Sequence, residues 1–583
     1  MVEHVREVPE HFPPSVAPRR RRSRDDIRRA VDWLVDELLA SGVDTIFGVP
    51  GGALAPLLDA LVDRPELRVV TNRHENHAVF AAAGYAQTTG RLGVALVTSG
   101  PGILNALNGL GSARTDHLPV LLIAGESARQ GHGKGAVQEG STYALGVVRM
   151  CSSIAKLAWE VPEGSSMIPM LRRSIATAMS GQRGPVVLSL PVNVQGQETS
   201  RPSVCSQSRT EFGVDSQALA HAVLALNSAS STFILAGSGL RGTEAPELLL
   251  ELAERIQCPV ATTPKGKGVF PEDHPLSVGI FGMGGHPSSS AALGTDTQTV
   301  LVLGSSLGEV ATDGWNPALG GKRSLIHVDI DASRIGRNYV TDLAVVSDVA
   351  VFLRTVLPHI EGGRPKREFG RTFATDPSIT AGPTGGLSPM YALQELENVV
   401  PDDTIFTADS GNNLFFATHY LTSKRPDAFV AFLGLGSMGS SLAGSVGVQL
   451  AAPERSVVSI NGDGGFAMAA AELSTAALLH LPIIVAVLND QRMGMVEYGL
   501  TQIFGRSLPY PTGPLDIASL ARACGAESIT ITEAGQITAA AKQILARGGP
   551  LVLDIHIDPE SPIPSNRRLE KLKEAGKKLK KGF

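Results

Sequence analysis

Two hydrophobic rhythms alternate along this chain. Short runs of β-branched and aliphatic residues, bounded by Gly, Pro, Asn or Asp, predict buried strands, and longer stretches with apolar positions three and four apart predict helices. After Asp25-Asp26, IRRAVDWLVDELLASG predicts an amphipathic helix stopped by Gly42. DTIFGVPGGALAPLLDAL follows as a strand, a glycine turn and a helix. LRVVTN is a strand, HENHAVFAAAGYAQTTG a helix rich in small residues, and GVALVTSGPGILNALNGLGSA repeats the plan. LPVLLIAGE adds a strand, and PVVLSLPVNV, Pro185 to Val194, closes this first unit. The polar linker QGQETSRPSVCSQSRTEFG leads to a second such pattern between Asp215 and Leu357, and EGGRPKREFGRTFATDPSITAGPTGG leads to a third, whose first strand is TIFTADSG. Strands alternating with helices predict an α/β fold with mostly parallel sheets. Three consecutive domains are expected over 25–200, 215–360 and 385–560, between a disordered leader (1–24) and a basic tail (561–583).

The third unit holds the densest chemistry, from Ser459 to Val496. RSVVSI is a strand that ends in Asn461-Gly462-Asp463-Gly464-Gly465, delivering one carboxylate into a glycine-rich turn. Phe466, Met468, Leu473, Ala476, Ala477 and Leu479 share one helical face, predicting a helix that opens at that turn. Leu481 to Leu488 is a second buried strand, ending in Asn489-Asp490. The β-α-β crossover places Asp463 and Asp490 at the same carboxyl edge of neighbouring parallel strands. A helix N-terminus attracts phosphate, and carboxylates hold Mg²⁺ or Ca²⁺, which bridges to phosphate oxygens. Each piece alone reads equally well as an ordinary turn or strand end; together they read as a metal-diphosphate site.

Composition narrows the classes further. The 583 residues, 43% of them apolar, suffice for about three or four domains with substantial cores. A net charge of −5 argues against a general polyanion binder such as a nucleic-acid protein. Arg19 to Arg22 and the C-terminal lysines read as solvated tails. Four cysteines, Cys151, Cys205, Cys258 and Cys524, show neither disulfide-framework nor zinc spacing, which fits a reducing cytosol. No apolar run reaches membrane-spanning length, so a soluble, unprocessed, cytoplasmic protein is expected.

FGVPGG, RHENHAVFAAAGYAQTTGRLGVALVTSGPG and the Gly462-Asp463-Gly464…Asn489-Asp490 frame resemble the thiamine diphosphate-dependent enzymes, specifically the acetolactate synthase-like group of large catalytic subunits. The resemblance spans roughly Asp25 to Pro559, with its motifs in order. It implies pyrimidine-binding, central and diphosphate-binding domains, and thiamine diphosphate with Mg²⁺ as cofactors. The implied metal ligands are Asp463, Asp490 (where the family usually has Asn) and the backbone carbonyl of Arg492. Glu75, on its own a helix-start carboxylate that serves equally as a cap, is implied to hydrogen-bond the cofactor's pyrimidine ring and set its proton transfer. Val137-Gln138-Glu139 matches the family's Phe-Gln-Glu, making Gln138 the implied contact to the reacting carbonyl and Val137 a reshaping of the acceptor pocket. His132 and Lys134 in the same glycine-rich loop read as substrate contacts or as solvent-exposed residues.

Further matches lie in the third domain. Asn412-Asn413 stand where the family has a Gln-His pair near the diphosphate, and Phe416 where it has a Trp shaping the acceptor site. Met438 matches the side chain that props the two cofactor rings into a bent shape, or reads as a core methionine. Pro50, Gly51, Gly411, Gly436, Gly462, Gly464, Gly465, Met493, Gly494 and Met495 complete the implied cofactor contacts. The central domain carries FAD in acetolactate synthase, but here Ser305 to Pro317 replaces the usual Arg-Phe-Asp-Asp-Arg segment, and Gly237-Ser238-Gly239 is a short glycine turn only. Little or no FAD is expected. The implied activity is decarboxylation of a 2-oxo acid such as pyruvate and addition of the two-carbon unit to a second carbonyl, in a homodimer or homotetramer with the active site shared between chains. A non-ligating decarboxylase and a non-catalytic cofactor-binding protein remain the alternatives. A Mg²⁺-dependent phosphohydrolase using Asp463 lacks a second carboxylate cluster.

Overall fold

The computed structural model describes residues 27–200, 212–546 and 548–564, together with 567, 570, 571, 573 and 574. The expected leader, most of the first linker and most of the basic tail lie outside the described residues. The chain forms three consecutive α/β units, each built on a six-stranded, wholly parallel sheet. The first short strand, β1 (Ile27–Arg29), pairs antiparallel with β8 (Glu198–Ser200) and ties the start of the first unit to its end. The helix expected from Ile27 therefore begins only at Ala30 and runs to Ala40, because Ile27–Arg29 find strand partners instead.

The first sheet comprises β2 (Thr45–Gly48), β3 (Arg68–Thr71), β4 (Gly93–Val97), β5 (Val120–Glu126), β6 (Leu157–Glu160) and β7 (Val186–Pro191), in spatial order β3-β2-β4-β5-β7-β6. In the central sheet, β9 (Thr232–Ala236), β10 (Val260–Thr262), β11 (Ser277–Ile280), β12 (Thr299–Leu303), β13 (Ser324–Asp329) and β14 (Leu343–Val346) lie in the order β11-β10-β9-β12-β13-β14. The third contains β15 (Ile405–Ala408), β16 (Phe429–Ala431), β17 (Val457–Gly462), β18 (Ile484–Asn489), β19 (Glu527–Ile531) and β20 (Leu551–His556), ordered β16-β15-β17-β18-β20-β19. Central strands such as β5, β7 and β12 are buried along their whole length, as helices on both faces require, and this is why they read as continuous apolar runs.

In each sheet the chain winds outward one way and then the other, leaving a topological switch point between β2 and β4, β9 and β12, and β15 and β17. Ligands of open parallel sheets bind at the carboxyl ends of the strands flanking such a point. The segments there are Pro50-Gly51 with Thr98–Gly100, Gly237–Gly239 with Gly304-Ser305, and Ser410–Asn413 with Gly462–Gly464.

The first and third units pack directly on each other through the helices Glu75–Thr89 and Ser440–Ala451. Their backbones touch because side chains are missing at the contact: a Cβ on Gly84 would run into Gly444 O, and one on Gly447 into Ala81 O. Phe80 and Phe432 meet alongside, with ring centroids 5.3 Å apart. At one end of this seam, Glu472 of the third unit, fully buried, accepts hydrogen bonds from Arg73 N (2.7 Å) and Asn72 Nδ2 (3.1 Å) and faces His77 Nδ1 at 3.2 Å. The segment after the glycine turn is consequently not the single helix its periodicity predicts. It is a helix Asp463–Ala469, a 3₁₀ turn Ala470–Glu472 that turns Glu472 toward the first unit, and a second helix Leu473–Leu478. Met468, assigned to the apolar face, is 55% exposed.

Candidate active site

The carboxyl ends of β15, β17 and β18 enclose a cavity of about 140 Å³. Fourteen of the residues singled out from the sequence line it together: Gly411, Asn412, Asn413, Phe416, Met438, Gly462, Asp463, Gly464, Gly465, Asp490, Arg492, Met493, Gly494 and Met495. Parallel pairing with Gly462 opposite Leu488 sets Asp463 and Asp490 one position apart beyond the two strand ends. Both carboxyls are pushed above the ordinary carboxylate value by burial, and Asp490, which also feels the charge of Asp463, reaches about 7. Two buried acids that repel each other in this way call for a cation. Among the described residues no group of three or more His, Cys, Asp or Glu side chains is placed to hold a metal, so a divalent ion would complete its shell with backbone carbonyl, phosphate or water oxygens.

The rest of the cavity suits a phosphate chain. Gly464 is a wall without a side chain, where a Cβ would stand 3.1 Å from Met493 Sδ and 3.3 Å from Met438 Cε. Asp463–Ala469 begins there, and the carbonyl oxygen of the Asn412 side chain, buried without a partner, suits the cation. The residues present therefore fit a metal-bound diphosphate.

Several supporting residues had not been singled out. Asp409, at the end of β15 and wholly buried, accepts hydrogen bonds from Gly439 N (2.8 Å), Ser440 N (2.9 Å) and Ser441 N (3.2 Å), which fixes the loop bearing Met438. Its position just before Ser410-Gly411 was the available signal. Thr512 donates its hydroxyl to Asp463, and Ile557–Pro559 and Ser561, beyond β20, line the cavity. Their distance in sequence from the glycine turn hid them.

The first-unit candidates gather elsewhere, at the switch point between β2 and β4. Glu75 opens the helix Glu75–Thr89, whose N-cap His74 accepts from Asn76 N and whose C-cap is Gly90 at φ 69°. Its Oε2 accepts a hydrogen bond from Asn105 Nδ2 at 3.0 Å. Gly51 lies against Thr98, and the Gln138 backbone, at φ 58°, lies against Gly100. The Gln138 and Lys134 side chains are exposed and Val137 is 88% exposed, whereas Glu139 is buried and accepts from Gly133 N at 2.7 Å. His132 is half-buried, its Nε2 3.0 Å from Ser127 O. Pro50, Gly51, Glu75 and Gln138 are not among the residues lining the third-unit cavity, nor is Gly436.

At the central switch point the glycines face the chain itself. Gly239 N donates to Gly304 O at 3.0 Å, and a Cβ on Gly239 would stand 2.8 Å from Gly304 Cα. Packing of the backbone against itself accounts for this turn. Ser305 to Pro317 folds into local turns, including Thr312 N to Gly308 O at 3.1 Å and Gly314 N to Glu309 O at 2.8 Å.

Three doubly wound parallel sheets, with a glycine-walled, diacidic cavity at one switch point and a helix-start glutamate at another, define a cofactor-binding α/β protein. Family models agree in order along the chain: the N-terminal TPP binding domain of thiamine pyrophosphate enzymes matches residues 28–145, their central domain 219–356, and their C-terminal TPP binding domain 409–555. The chain belongs to the thiamine pyrophosphate enzyme family. It is 30% identical to acetolactate synthase 1, chloroplastic, of Zea mays, over 91% of this chain and 85% of that one. It is 31% identical to an acetolactate synthase of Arthrospira platensis, over 90% and 93%. Identity to an acetolactate synthase of Mycobacterium bovis is 33%, over 78% and 75%. An X-ray structure of a candidate thiamin diphosphate-dependent enzyme from Mycobacterium smegmatis shares the fold, with a TM-score of 0.79 at 24% identity, covering 91% of this chain and 99% of that one. No helix among the described residues is long and apolar enough to cross a membrane.

Proposed function

We propose that this protein is a thiamine diphosphate- and Mg²⁺-dependent carboligase that decarboxylates a 2-oxo acid, with pyruvate the first choice, and adds the two-carbon unit to a second carbonyl. The observation that carries this reading is the cavity joining Asp463, Asp490 and the Gly462–Gly465 wall, in a chain whose relatives over most of its length include acetolactate synthases. Asp463, Asp490 and the Arg492 carbonyl would hold the metal, and Gly464, Gly465, Asn412, Asn413, Gly494 and the amides opening Asp463–Ala469 the diphosphate. When bound, the cofactor supplies a carbon nucleophile and an electron sink for the bond that loses CO₂.

The protein's own part is placement and proton control. Glu75 Oε holds or gives up a proton at the ring that sets the nucleophile, and Asn105 Nδ2, at 3.0 Å, keeps that carboxylate turned to its task. Asp409 holds the Met438 loop against the glycine turn, and Met438, which lines the cavity, would pack against the bound cofactor. Thr512 orients Asp463 from outside the cavity. Gln138, exposed in one chain, meets the reacting carbonyl in the completed site. Because Glu75 lies at a different switch point and is not among the described residues lining the Asp463 cavity, we read the site as completed by a second copy, as a homodimer or homotetramer. The protein carries little or no FAD, binds neither membrane nor nucleic acid, and works in the cytoplasm.

Val137 in place of Phe, and Phe416 in place of Trp, favour a second reading in which no acceptor is selected and the enzyme is a non-ligating 2-oxo-acid decarboxylase. Pyruvate incubated with purified protein, with and without thiamine diphosphate and Mg²⁺, separates the possibilities by mass spectrometry. A cofactor-dependent ligated product supports the carboligase. Acetaldehyde and CO₂ alone support the decarboxylase. Cofactor binding without consumption of any 2-oxo acid in a donor panel would leave a non-catalytic binding protein.

A further inference from the structure

We propose that the guanidinium of Arg492 is a built-in counter-charge to Asp490, so that the third-unit cavity presents its metal-diphosphate ligand with one added carboxylate and one added cation together. The inference rests on the reading of that cavity as a metal-diphosphate site and concerns only the side chain of Arg492, not its backbone carbonyl.

Arg492 lines the cavity, and its Nε stands 3.8 Å from Asp490 Oδ2. The remaining nitrogens are anchored from behind. Nη1 lies 3.1 Å from Glu497 Oε2, and Nη2 lies 3.0 Å from Glu560 Oε1 and also donates to Pro559 O. Glu497 is itself held, its Oε1 accepting from Tyr510 N at 2.5 Å. This clasp joins the strand-end loop, the helix Gly494–Phe504 and the segment after β20, and it leaves Nε–H buried without a hydrogen-bond partner beside Asp490. Ser561, 6% exposed, lines the same cavity, and its hydroxyl is likewise buried without a partner. A wall with two unpartnered donors, one of them charged, faces a ligand that accepts.

The charge logic follows from position 490. A neutral amide there would offer a metal the same oxygen, so the carboxylate adds one negative charge that attracts the cation and repels the diphosphate. The guanidinium offsets both effects. Removing its charge should therefore move metal and diphosphate affinity in opposite directions, whereas damage to the fold would weaken both. At separations of a few ångströms and an effective dielectric of about 20, less the screening of a partly exposed group, each change should be at least about fivefold.

The test uses full-length wild-type protein, Arg492→Gln, Asp490→Asn and the double variant, with Mn²⁺ as the metal. Mn²⁺ affinity is read by electron paramagnetic resonance at saturating thiamine diphosphate, and thiamine diphosphate affinity by calorimetry at saturating Mn²⁺. In Arg492→Gln, Mn²⁺ should bind at least about fivefold tighter and thiamine diphosphate at least about fivefold weaker, and the double variant should return both to within about twofold of wild type, the coupling expected of a charge pair. Arg492→Gln weakening both ligands, or moving neither, would overturn the proposal while leaving the cavity reading intact. A wild-type protein that binds neither ligand would overturn both.

Discussion

Glu472 is a buried acid on which the seam between the first and third units depends. The residue is 0% exposed, yet its carboxyl lies below the ordinary carboxylate range, because His77, the Arg73 N–H and Asn72 outweigh the cost of burial. Glu472→Ala would strand the Arg73 N–H and the Asn72 amide, and would remove the anion that His77 faces at 3.2 Å. A stranded buried donor costs about 1–3 kcal/mol, and Asn72 and His77 are themselves buried, so an overall loss of about 3–5 kcal/mol is expected. The loss falls on the seam between the first and third units, not on either sheet. Urea unfolding followed by tryptophan fluorescence and far-UV circular dichroism should show the first transition moving to lower denaturant, with later transitions little changed. A shift worth less than about 0.5 kcal/mol would place Glu472 among ordinary surface substitutions and refute this account of the seam.

Glu75→Gln should fold normally and lose about 10²–10⁴-fold in turnover, the usual cost of removing a positioned proton-transfer group; near-wild-type turnover in the folded variant would remove Glu75 from the mechanism. Asp463→Ala should lose thiamine diphosphate binding by calorimetry, whereas Asp490→Asn, which retains an oxygen donor, should keep it at saturating metal; unchanged affinity in Asp463→Ala would sink the metal-site reading. Acid should loosen the junction of the central and third units, where His286 and His419 stack with ring centroids 4.4 Å apart. Burial holds both imidazoles below their ordinary value near 6.5, with His419 at about 4. The unfolded chain therefore takes up these protons first: stability is complete above pH 6.5 and falls between pH 6.5 and about 4, by about 3 kcal/mol for His419 alone. A thermal midpoint that does not fall over that interval would contradict the assignment.

The fold was legible where buried parallel strands write themselves as apolar runs, as in VLLIAGE of β5 and VVLSLP of β7. The cavity was legible too, because strand-end residues such as Asp463 and Asp490 are brought together by a local β-α-β unit. Periodicity failed where a tertiary contact overrode it. Leu473, Ala476 and Leu479 continue the apolar spacing of Phe466, but Glu472 leaves the helix for Asn72, Arg73 and His77, nearly 400 residues earlier. Ile27–Arg29 likewise took a strand partner at Glu198–Ser200 that no local pattern announces. Thr512 and Ser561 went unseen for the same reason, reaching the cavity from loops far along the chain from Asp463. The Arg492 clasp, by contrast, is spelled out locally in Asp490 and Glu497, but only the geometry reveals which acids the guanidinium meets.

The central claim is that Glu75 of one chain and the Asp463 cavity of another make one active site, and subunit mixing tests it most directly. Glu75→Gln and Asp463→Ala proteins, each inactive alone, are mixed under conditions in which exchange is verified by differently tagged chains. Each mixed dimer would gather both lesions in one site and leave the other with wild-type Glu75 and Asp463. Random exchange should then restore about a quarter of wild-type activity, as expected when half of the dimers each carry one intact site. Verified exchange with no recovery would mean that each chain builds its own site, contrary to this account.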